Sequence, residues 1–290
     1  MFHVLFVNLY KKFSSVFHVL FDINSCILIY YLMSKFILDL IVIENRKLTD
    51  QYVLLILKSP EKLPEILPGQ FAQVRVDGSS TTFLRRPISI HYIDYEKNEL
   101  WFLIQVIGDG TYRLSQLKAG EFLNVILPLG NHFSVPKDYK ASLLLIGGGC
   151  GVAPLLYLGA NLKRRGFEVN FLLGARSATD ILQKSEYDRY GNVYITTEDG
   201  SMGERGFVTA HSLLKSSNFD YIYTCGPTPM MKAVAAYAAK IKAICEVSLE
   251  NTMACGIGAC LCCVTDSTEG HVCVCTEGPV FNITKLKWQI

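Results

Sequence analysis

The chain has 290 residues, of which 50% are hydrophobic and 19% are charged, and its formal net charge is +2. This length allows two domains, or two domains and a small module, and the composition excludes general disorder. The small net charge does not support binding through a strongly basic face, so no nucleic-acid partner is expected.

The first 32 residues are strongly apolar, but Lys11, Lys12 and Asp22 interrupt their uncharged runs. None of these runs reaches the roughly 18 residues that suggest a membrane span, so no membrane partner is expected. A signal peptide would place its positive charge before the apolar stretch and end in small residues, and neither feature is present. We expect Met33 to be the real start and residues 1–32 to be a non-native or unstructured extension.

Residues 33–136 have the pattern of a small antiparallel β-barrel. Six short segments are rich in β-branched and aromatic residues and are separated by Pro, Gly, Asp or Asn. No amphipathic helix interrupts the first five, and strands at this spacing favour a barrel. The predicted strands are FILDLIVIE, YVLLILK, FAQVRV, PISIHYI, ELWFLIQVI and FLNVIL.

Residues 137–245 instead alternate between strands and helices. The apolar run SLLLIG predicts a strand buried on both faces, and a helix is expected from about Ala153. The strands EVNFLL, NVYITT and DYIYTC follow, together with helical segments such as PMMKAVAAYAAK. This alternation predicts a parallel sheet covered by helices. Residues 246–290 are expected to form a small, loop-rich C-terminal module.

Two stretches of the predicted barrel suit the phosphates of a dinucleotide. In LRRPISI, Arg86 offers paired guanidinium donors and Ser89 adds a hydroxyl. In GDGTYRLSQLKAGE, Gly110 and Thr111 precede a short predicted helix whose first amides favour a phosphate. Taken alone, the first stretch is better explained by a surface arginine and an edge-strand proline, and the second by a turn with a threonine cap. Their occurrence in one small barrel indicates a single bound dinucleotide.

The first strand of the α/β region ends in the glycine-rich turn GGGCGVAP, which contains Gly147, Gly148, Gly149 and Gly151. Gly149 and Gly151 occupy the first two glycine positions of a dinucleotide fingerprint, and Pro154 occupies the third. A turn of this kind lets a pyrophosphate approach the start of the following helix. The alternative is a glycine turn that serves only strand–helix packing.

A later strand ends in the motif CGP, formed by Cys225, Gly226 and Pro227. The carboxyl ends of parallel strands are where such sheets bind ligands. The Cys225 thiol is therefore a candidate to lie against a nicotinamide ring. A buried structural cysteine is the alternative interpretation.

Six of the ten cysteines lie in the last 36 residues, which favours a metal site in a reducing, cytoplasmic environment over a disulfide framework. Cys255, Cys260 and Cys263 have the spacing C-x4-C-x2-C, which together with a distant fourth cysteine is typical of a plant-type [2Fe–2S] cluster. Zinc sites more often repeat C-x2-C. The spacing leaves Cys273 and Cys275 as alternatives for the fourth ligand.

Together, the motifs RRPIS, GDGT, GGGCGVAP, CGP and ACGIGACLCC with VCTEGPVF resemble the electron-transfer subunits of NAD-dependent (class 1B) dihydroorotate dehydrogenases, in the ferredoxin-reductase superfamily. The resemblance runs from about Met33 to Phe281. It implies a barrel that binds FAD, a parallel-sheet domain that binds NAD(H) and a tail that holds [2Fe–2S]. Electrons would pass to or from the FMN of a separate dihydroorotate dehydrogenase catalytic subunit in pyrimidine biosynthesis, within an assembly of two plus two chains.

The resemblance also implies which individual residues bind the cluster, the flavin and NAD(H). The family's fourth cluster ligand precedes a variable pair and GPVF, which implies Cys275 and leaves Cys273 as an extra. Cys262 occupies a position that is commonly Gly, so it is not expected to be a ligand. The cofactor-binding residues implied are Arg86, Pro87, Ile88, Ser89, Leu103, Ile104, Gln105, Gly110 and Thr111 for the flavin, and Gly147, Gly148, Gly149, Gly151, Gly226 and Pro227 for NAD(H).

Two alternative functions remain open. The small subunit of an NADH-dependent ferredoxin:NADP oxidoreductase or sulfide dehydrogenase has the same layout, but that group tends to have Asp where this chain has Cys255. A non-catalytic iron–sulfur sensor is an alternative of another class, against which the intact glycine turns and CGP motif argue. No catalytic acid or base is expected, because hydride and electron transfer depend on positioning and cofactor electronics.

Overall fold

The computed structural model describes residues 35–288. The extension predicted for residues 1–32 lies outside the described residues. Residues Lys35–Ile290 make up one compact unit of the chain. Among the residues described, no helix is both long and apolar enough to cross a bilayer.

The first part of the structure is an antiparallel half-barrel sheet, which confirms the fold predicted for this region. Its seven strands are β1 (Phe36–Lys47), β2 (Tyr52–Lys58), β3 (Phe71–Val74), β4 (Arg86–Ser89), β5 (Tyr92–Asp94), β6 (Glu99–Gln105) and β7 (Phe122–Leu129). They lie in the order β4-β3-β7-β1-β2-β6-β5. Helix α1 (Asp109–Ser115) lies between β6 and β7 in the chain.

The prediction of one strand over PISIHYI is wrong, because this segment forms β4 and β5 at opposite edges of the sheet. The chain crosses from one edge of the sheet to the other at Ile90 and His91. The Ile90 amide donates to the Gln70 carbonyl at 3.2 Å, whereas the His91 amide donates to the Trp101 carbonyl at 3.0 Å. The His91 side chain is buried, and its Nδ1 lies 2.8 Å from the Ala153 carbonyl oxygen. This contact ties the crossing to the α/β region.

The second sheet confirms the predicted parallel architecture. The remaining strands are β8 (Leu143–Gly148), β9 (Val169–Ala175), β10 (Asn192–Thr197), β11 (Glu204–Arg205), β12 (Tyr221–Cys225), β13 (Ile244–Ser248), β14 (Val264–Ser267), β15 (Gly270–Cys273) and β16 (Val280–Asn282). In the second sheet they lie in the order β11-β10-β9-β8-β12-β13-β16, and all neighbours are parallel except the antiparallel pair β13 and β16. A separate hairpin joins β14 to β15.

Helices cover the parallel sheet, and β8 is buried along its whole length, as its continuous apolar run predicts. The α-helices are α2 (Ala153–Arg164), α3 (Lys184–Asp188), α4 (Leu213–Ser216) and α5 (Thr228–Ile241). The 3-10 helices are Gly149–Val152, Ala178–Asp180, Val208–Ala210 and Ile283–Lys285.

The C-terminal segment is held between the two sheets. The Asn131 side chain, just after β7, donates to the carbonyls of Glu277 at 2.7 Å and Val280 at 2.9 Å, and it accepts from the Val280 amide at 3.0 Å. The Asn131 amide donates to the Gly278 carbonyl at 2.6 Å. We call residues 277–280 with Asn131 the C-terminal clamp.

Regular structure continues after Cys245, although the sequence pattern predicts its end there. The reason is that β16 pairs antiparallel with β13 and extends the second sheet.

We expect Asn131→Ala to release the C-terminal clamp. The substitution removes three side-chain hydrogen bonds, which should lower the free energy of unfolding by about 1–3 kcal/mol. Hydrogen exchange of residues 277–282 should become markedly faster. Unchanged exchange there would contradict the assigned role of the clamp.

The chain offers a matched control at Asn98. Its side chain also makes three hydrogen bonds to backbone, with Ser59, Glu61 and Leu63. Asn98 has a φ of 60°, so glycine is the replacement that adds no backbone strain. Asn98→Gly should destabilise the protein without changing exchange at residues 277–282.

Candidate functional site

The predicted flavin stretch, Arg86 to Ser89, is strand β4, and all four of its residues are half-buried. It is an edge strand of the half-barrel and pairs antiparallel with β3. The second predicted stretch, Gly110 and Thr111, was expected to precede a helix. In the structure α1 begins at Asp109, so both residues lie within its first turn.

The structure brings the two stretches together. A Cβ atom built on Gly110 would lie 2.8 Å from Arg86 Nε and 3.2 Å from the Cγ2 atom of Thr82. Glycine at this position therefore allows the Arg86 side chain to lie against the start of α1. Arg86 Nη1 makes only long hydrogen bonds, to the carbonyls of Leu84 at 3.3 Å and Arg85 at 3.4 Å. The guanidinium thus keeps donors for an anionic group.

The side chains at the start of α1 have local partners. Thr111 Oγ1 accepts from the amides of Ile107 at 3.0 Å and Gly108 at 3.2 Å, so this hydroxyl caps the helix. Asp109 accepts hydrogen bonds from three hydroxyls of the loop 79–82, and these bonds lower the pKa of its carboxyl. The carboxylate therefore fixes that loop against α1, a role that the sequence analysis missed.

A cleft of about 1370 Å³ lies between the half-barrel and the carboxyl ends of the parallel strands. Among the predicted cofactor residues, Gln105, Gly148, Gly149, Gly151 and Pro227 line it. Leu103 and Ile104 are buried in β6 beside Gln105. Gly147, Gly226 and Cys225 do not belong to the cleft wall.

Two glycine-containing turns touch at the floor of this cleft. A Cβ atom built on Gly151 would lie 2.4 Å from both the Cα and the amide nitrogen of Gly226. Because these are backbone atoms, they cannot move aside as a flexible side chain would. The contact brings the turn after β8 against the turn after β12, where open α/β sheets bind ligands.

Cys225 lies beneath the cleft, and its thiol donates to Glu250 Oε1 at 3.9 Å. Burial raises the pKa of the Cys225 thiol well above its ordinary value, so the group stays protonated. Glu250 lines the cleft, and desolvation raises the pKa of its carboxyl. Cys150 also lines the cleft, where burial raises its pKa to about 12. The nicotinamide contact predicted for Cys225 stays a prediction.

Several residues of the cleft wall are not among those predicted from the sequence. Arg176 follows β9, Glu198 follows β10, and Glu250 lies two residues after β13. Their position just beyond parallel strands is the signal that would have identified them. Tyr52 lines the cleft from the half-barrel, and no sequence pattern marks it.

The proposed cluster ligands lie close enough to one another for one thiol to shift the pKa of another. Cys260 affects the pKa of the Cys255 thiol, and Cys263 affects that of the Cys275 thiol. Backbone amides are directed at these sulfurs. The Ile257 amide donates to Cys255 Sγ at 3.4 Å, and the Gly258 amide donates to Cys275 Sγ at 3.2 Å. Thiolates surrounded by such donors are the environment that iron–sulfur clusters require.

The thiols of this group differ in acidity. Hydrogen bonding from the Ile257 amide lowers the pKa of Cys255 to about 6, whereas desolvation raises the pKa of Cys275 to about 12. Within residues 35–288, no three His, Cys, Asp or Glu side chains are arranged to hold a single metal ion. The donor set itself fits a [2Fe–2S] cluster, since it offers four thiols, of which Cys255, Cys263 and Cys275 accept backbone amide hydrogen bonds.

The two extra cysteines of this region differ in position. Cys262 is exposed, and its thiol donates to the Thr252 carbonyl at 3.7 Å. Cys273 ends β15 and its thiol contacts Cys263. No described backbone amide donates to Cys273 Sγ within hydrogen-bonding distance, in contrast to Cys275. This contrast favours Cys275, although both thiols lie near Cys263.

Comparison with known sequences gives two family matches. The iron–sulfur cluster binding domain of dihydroorotate dehydrogenase B matches residues 250–287, and the oxidoreductase NAD-binding domain matches residues 145–236. A relative from Shouchella clausii, named dihydroorotate dehydrogenase B (NAD(+)), electron transfer subunit, is 43% identical over 74% of this chain and 85% of its own length. A relative of the same name from Bacillus velezensis is 38% identical over 83% of this chain and 95% of its own length.

Solved structures share the fold. That of an NADH-dependent reduced ferredoxin-NADP oxidoreductase, studied for flavin-based electron bifurcation, superimposes with a TM-score of 0.78 at 28% identity, over 86% of this chain and 90% of the other. A flavohemoglobin from Malassezia yamatoensis with bound FAD and heme superimposes with a TM-score of 0.60 at 18% identity, over 76% of this chain and 61% of the other. The flavohemoglobin likeness concerns the fold alone.

We expect Cys275→Ser to abolish or severely reduce cluster content, because it removes the buried thiol that accepts the Gly258 amide. Cys273→Ser should keep the cluster and serves as the matched control. Visible absorption and iron content per chain measure the amount of cluster in both variants. Retention of the cluster in Cys275→Ser, with loss in Cys273→Ser, would assign the fourth ligand to Cys273.

Proposed function

This chain belongs to the family of dihydroorotate dehydrogenase B electron transfer subunits, and we propose that it exchanges electrons with the FMN of a separate catalytic subunit. It is an oxidoreductase subunit that carries electrons between NAD(H), FAD and a [2Fe–2S] cluster. In this proposal the partner oxidises dihydroorotate for pyrimidine biosynthesis. The assembly contains two copies of each chain and works in the cytoplasm.

The position of the cysteine loop against the half-barrel carries the proposal. Gly256, next to Cys255, packs on β3, and β3 pairs with the flavin stretch in β4. Gln105 of β6, in the same half-barrel, lines the cleft proposed for NAD(H). The residues proposed for the nicotinamide, flavin and cluster sites thus belong to one half-barrel and its neighbouring segments, which supports a role as successive electron carriers.

The proposal assigns the sites as follows. Arg86 to Ser89, the end of β6 and the first turn of α1 hold FAD, and the turns after β8 and β12 hold NAD(H). Cys255, Cys260, Cys263 and Cys275 ligate the cluster. FAD held there would supply hydride exchange with NAD(H) and single-electron exchange with the cluster.

The chain's own residues position these groups and supply no acid or base. The close contact of Gly151 with Gly226 keeps the space beside the start of α2 open to the cleft, where backbone amides bind a pyrophosphate. Arg86 supplies charge-assisted donors for the flavin phosphates. Cys225 remains a neutral thiol below the cleft, so it offers a small polarizable surface and no nucleophile.

The partner is proposed to dock where the cysteine loop is apolar and exposed. Ile257 and Leu261 lie on either side of Cys260 in the sequence, and these residues are 46% and 65% exposed. Leu261 adopts a φ of 58°, which is unusual for a bulky residue. An electron must leave the cluster here, so the catalytic subunit is the occupant that explains an apolar surface beside the cluster ligands.

A second candidate function is that of an NADH-dependent reduced ferredoxin-NADP oxidoreductase, favoured by the structural match with that enzyme. The first ligand position distinguishes the two proposals. Members of that group tend to have Asp there, whereas this chain has Cys255. The electron-transfer subunit of dihydroorotate dehydrogenase is therefore the preferred function.

Co-expression with an FMN-containing dihydroorotate dehydrogenase chain tests the proposal. The two chains should co-purify and form orotate from dihydroorotate with NAD. Leu261→Asp should weaken the complex at least tenfold while FAD and cluster content stay unchanged. The control Tyr139→Asp changes a side chain that is 69% exposed on the α/β region and should not affect assembly.

Two other results would contradict the proposal. Absence of a complex, together with NADH-dependent reduction of NADP by ferredoxin electrons, would favour the second function. A complex that forms normally with Leu261→Asp would exclude the cysteine loop as the docking surface.

A further inference from the structure

Gln73 is a buried polar side chain that has no role in the electron transfer proposed above. It lies in β3 and is 0% exposed, and neither its amide nitrogen nor its amide oxygen has a hydrogen-bond partner among the described residues. The nearby Gln70 is fully paired, since its Nε2 donates to the Gly130 carbonyl and its Oε1 accepts from the Leu67 amide. Burying an unpaired amide is unfavourable, so we expect the Gln73 side chain to have a hydrogen-bond partner in the functional protein.

The side chain of Gln73 points out of the half-barrel. Successive residues of a strand face opposite sides of the sheet. Ala72 and Val74 belong to the core of the half-barrel, whereas Phe71 belongs to the core shared with the C-terminal module. Gln73 is therefore on the Phe71 side, where the cysteine loop covers the sheet.

The amide of Gln73 packs directly on that loop. A Cβ atom built on Gly256 would lie 2.6 Å from both Cγ and Nε2 of Gln73. Gly256 has a φ of 71° and separates Cys255 from Ile257, whose amide donates to Cys255 Sγ. The unpaired amide thus adjoins the turn that wraps the first proposed cluster ligand.

The same residue also adjoins the flavin stretch. In the pairing of β3 with β4, Gln73 lies opposite Pro87, the neighbour of Arg86. Gln73 is therefore placed between the strand assigned to FAD and the loop assigned to the cluster. The position is rigid, because β3 is paired on both sides, with β4 and β7.

We propose that the Gln73 side-chain amide donates a hydrogen bond to a sulfur of the [2Fe–2S] site beside Cys255 and so raises the reduction potential of the cluster. This inference rests on the proposed cluster ligands. A reduced cluster carries one more negative charge than an oxidised one, so an N–H donor to sulfur stabilises the reduced form more. Gln73 is a positioning residue, since it acts through the cluster and touches no substrate.

The test is a potentiometric titration, followed by electron paramagnetic resonance, of the purified chain with FAD and cluster bound. Gln73→Met keeps the length and volume of the side chain and removes the donor, so the cluster potential should fall. A tenfold shift in the electron distribution between cluster and flavin corresponds to about 59 mV for one electron. Unchanged potential in a Gln73→Met protein with full cluster content would overturn the inference.

The control is Ser59→Ala, which removes another buried polar atom without a described partner, at the Lys58 end of β2. It should leave the cluster potential unchanged. A purely structural role for Gln73 predicts a lower unfolding midpoint in Gln73→Met and an unaltered potential. Wild-type protein purified without any cluster would instead contradict the proposed ligands.

A measurement on the wild-type chain keeps the inference testable if Gln73→Met fails to fold. Labelling the side-chain amide of glutamine with ¹⁵N should produce a nitrogen coupling in pulsed electron paramagnetic resonance spectra of the reduced cluster. Gln70→Glu removes the label from the nearby glutamine and should preserve the coupling. The absence of any such coupling in the wild-type protein would overturn the inference.

Discussion

The arrangement of the three sites depends on the C-terminal clamp, the hydrogen bonds between Asn131 and residues 277–280. Asn131 follows the last strand of the half-barrel, and β16, which begins at Val280, pairs with β13 of the parallel sheet. One short segment therefore fixes the chain to both sheets. Because Cys275 lies just before this segment, the clamp acts together with the packing of Gly256 on Gln73 of β3 to hold the cysteine loop near the proposed flavin strand.

Within this frame, three glycines make the close contacts on which the proposed cofactor sites depend. Gly151 lets two turns meet, Gly110 leaves room for Arg86, and Gly256 lets the cysteine loop pack on β3. The buried thiol of Cys225 stays protonated. These features suit electron transfer, which needs fixed distances and tuned surroundings and no proton-transfer residue on this chain. The proton chemistry of dihydroorotate belongs to the proposed catalytic partner.

Local patterns in the sequence predicted much of this structure. The buried strand β8, its glycine-rich turn, helix α2 and the end of β12 follow from apolar runs and glycines within a few residues. Contacts between distant segments could not be predicted from local patterns. The division of PISIHYI into β4 and β5, the clamp at Asn131 and the unpaired amide of Gln73 all depend on tertiary packing. Cys273 and Cys275 show the same limit, since their spacing permits both, whereas in the structure Cys275 is buried and accepts the Gly258 amide.

The central claim is that this chain passes electrons from NADH through its flavin to its cluster. The most direct measurement mixes the isolated chain with NADH without oxygen and follows flavin absorption together with the resonance signal of the reduced cluster. The account predicts that the flavin bleaches first, that the cluster signal follows, and that protein stripped of flavin shows no cluster reduction by NADH. A cluster that NADH reduces equally well without flavin, or a flavin that bleaches while the cluster stays oxidised, would contradict it.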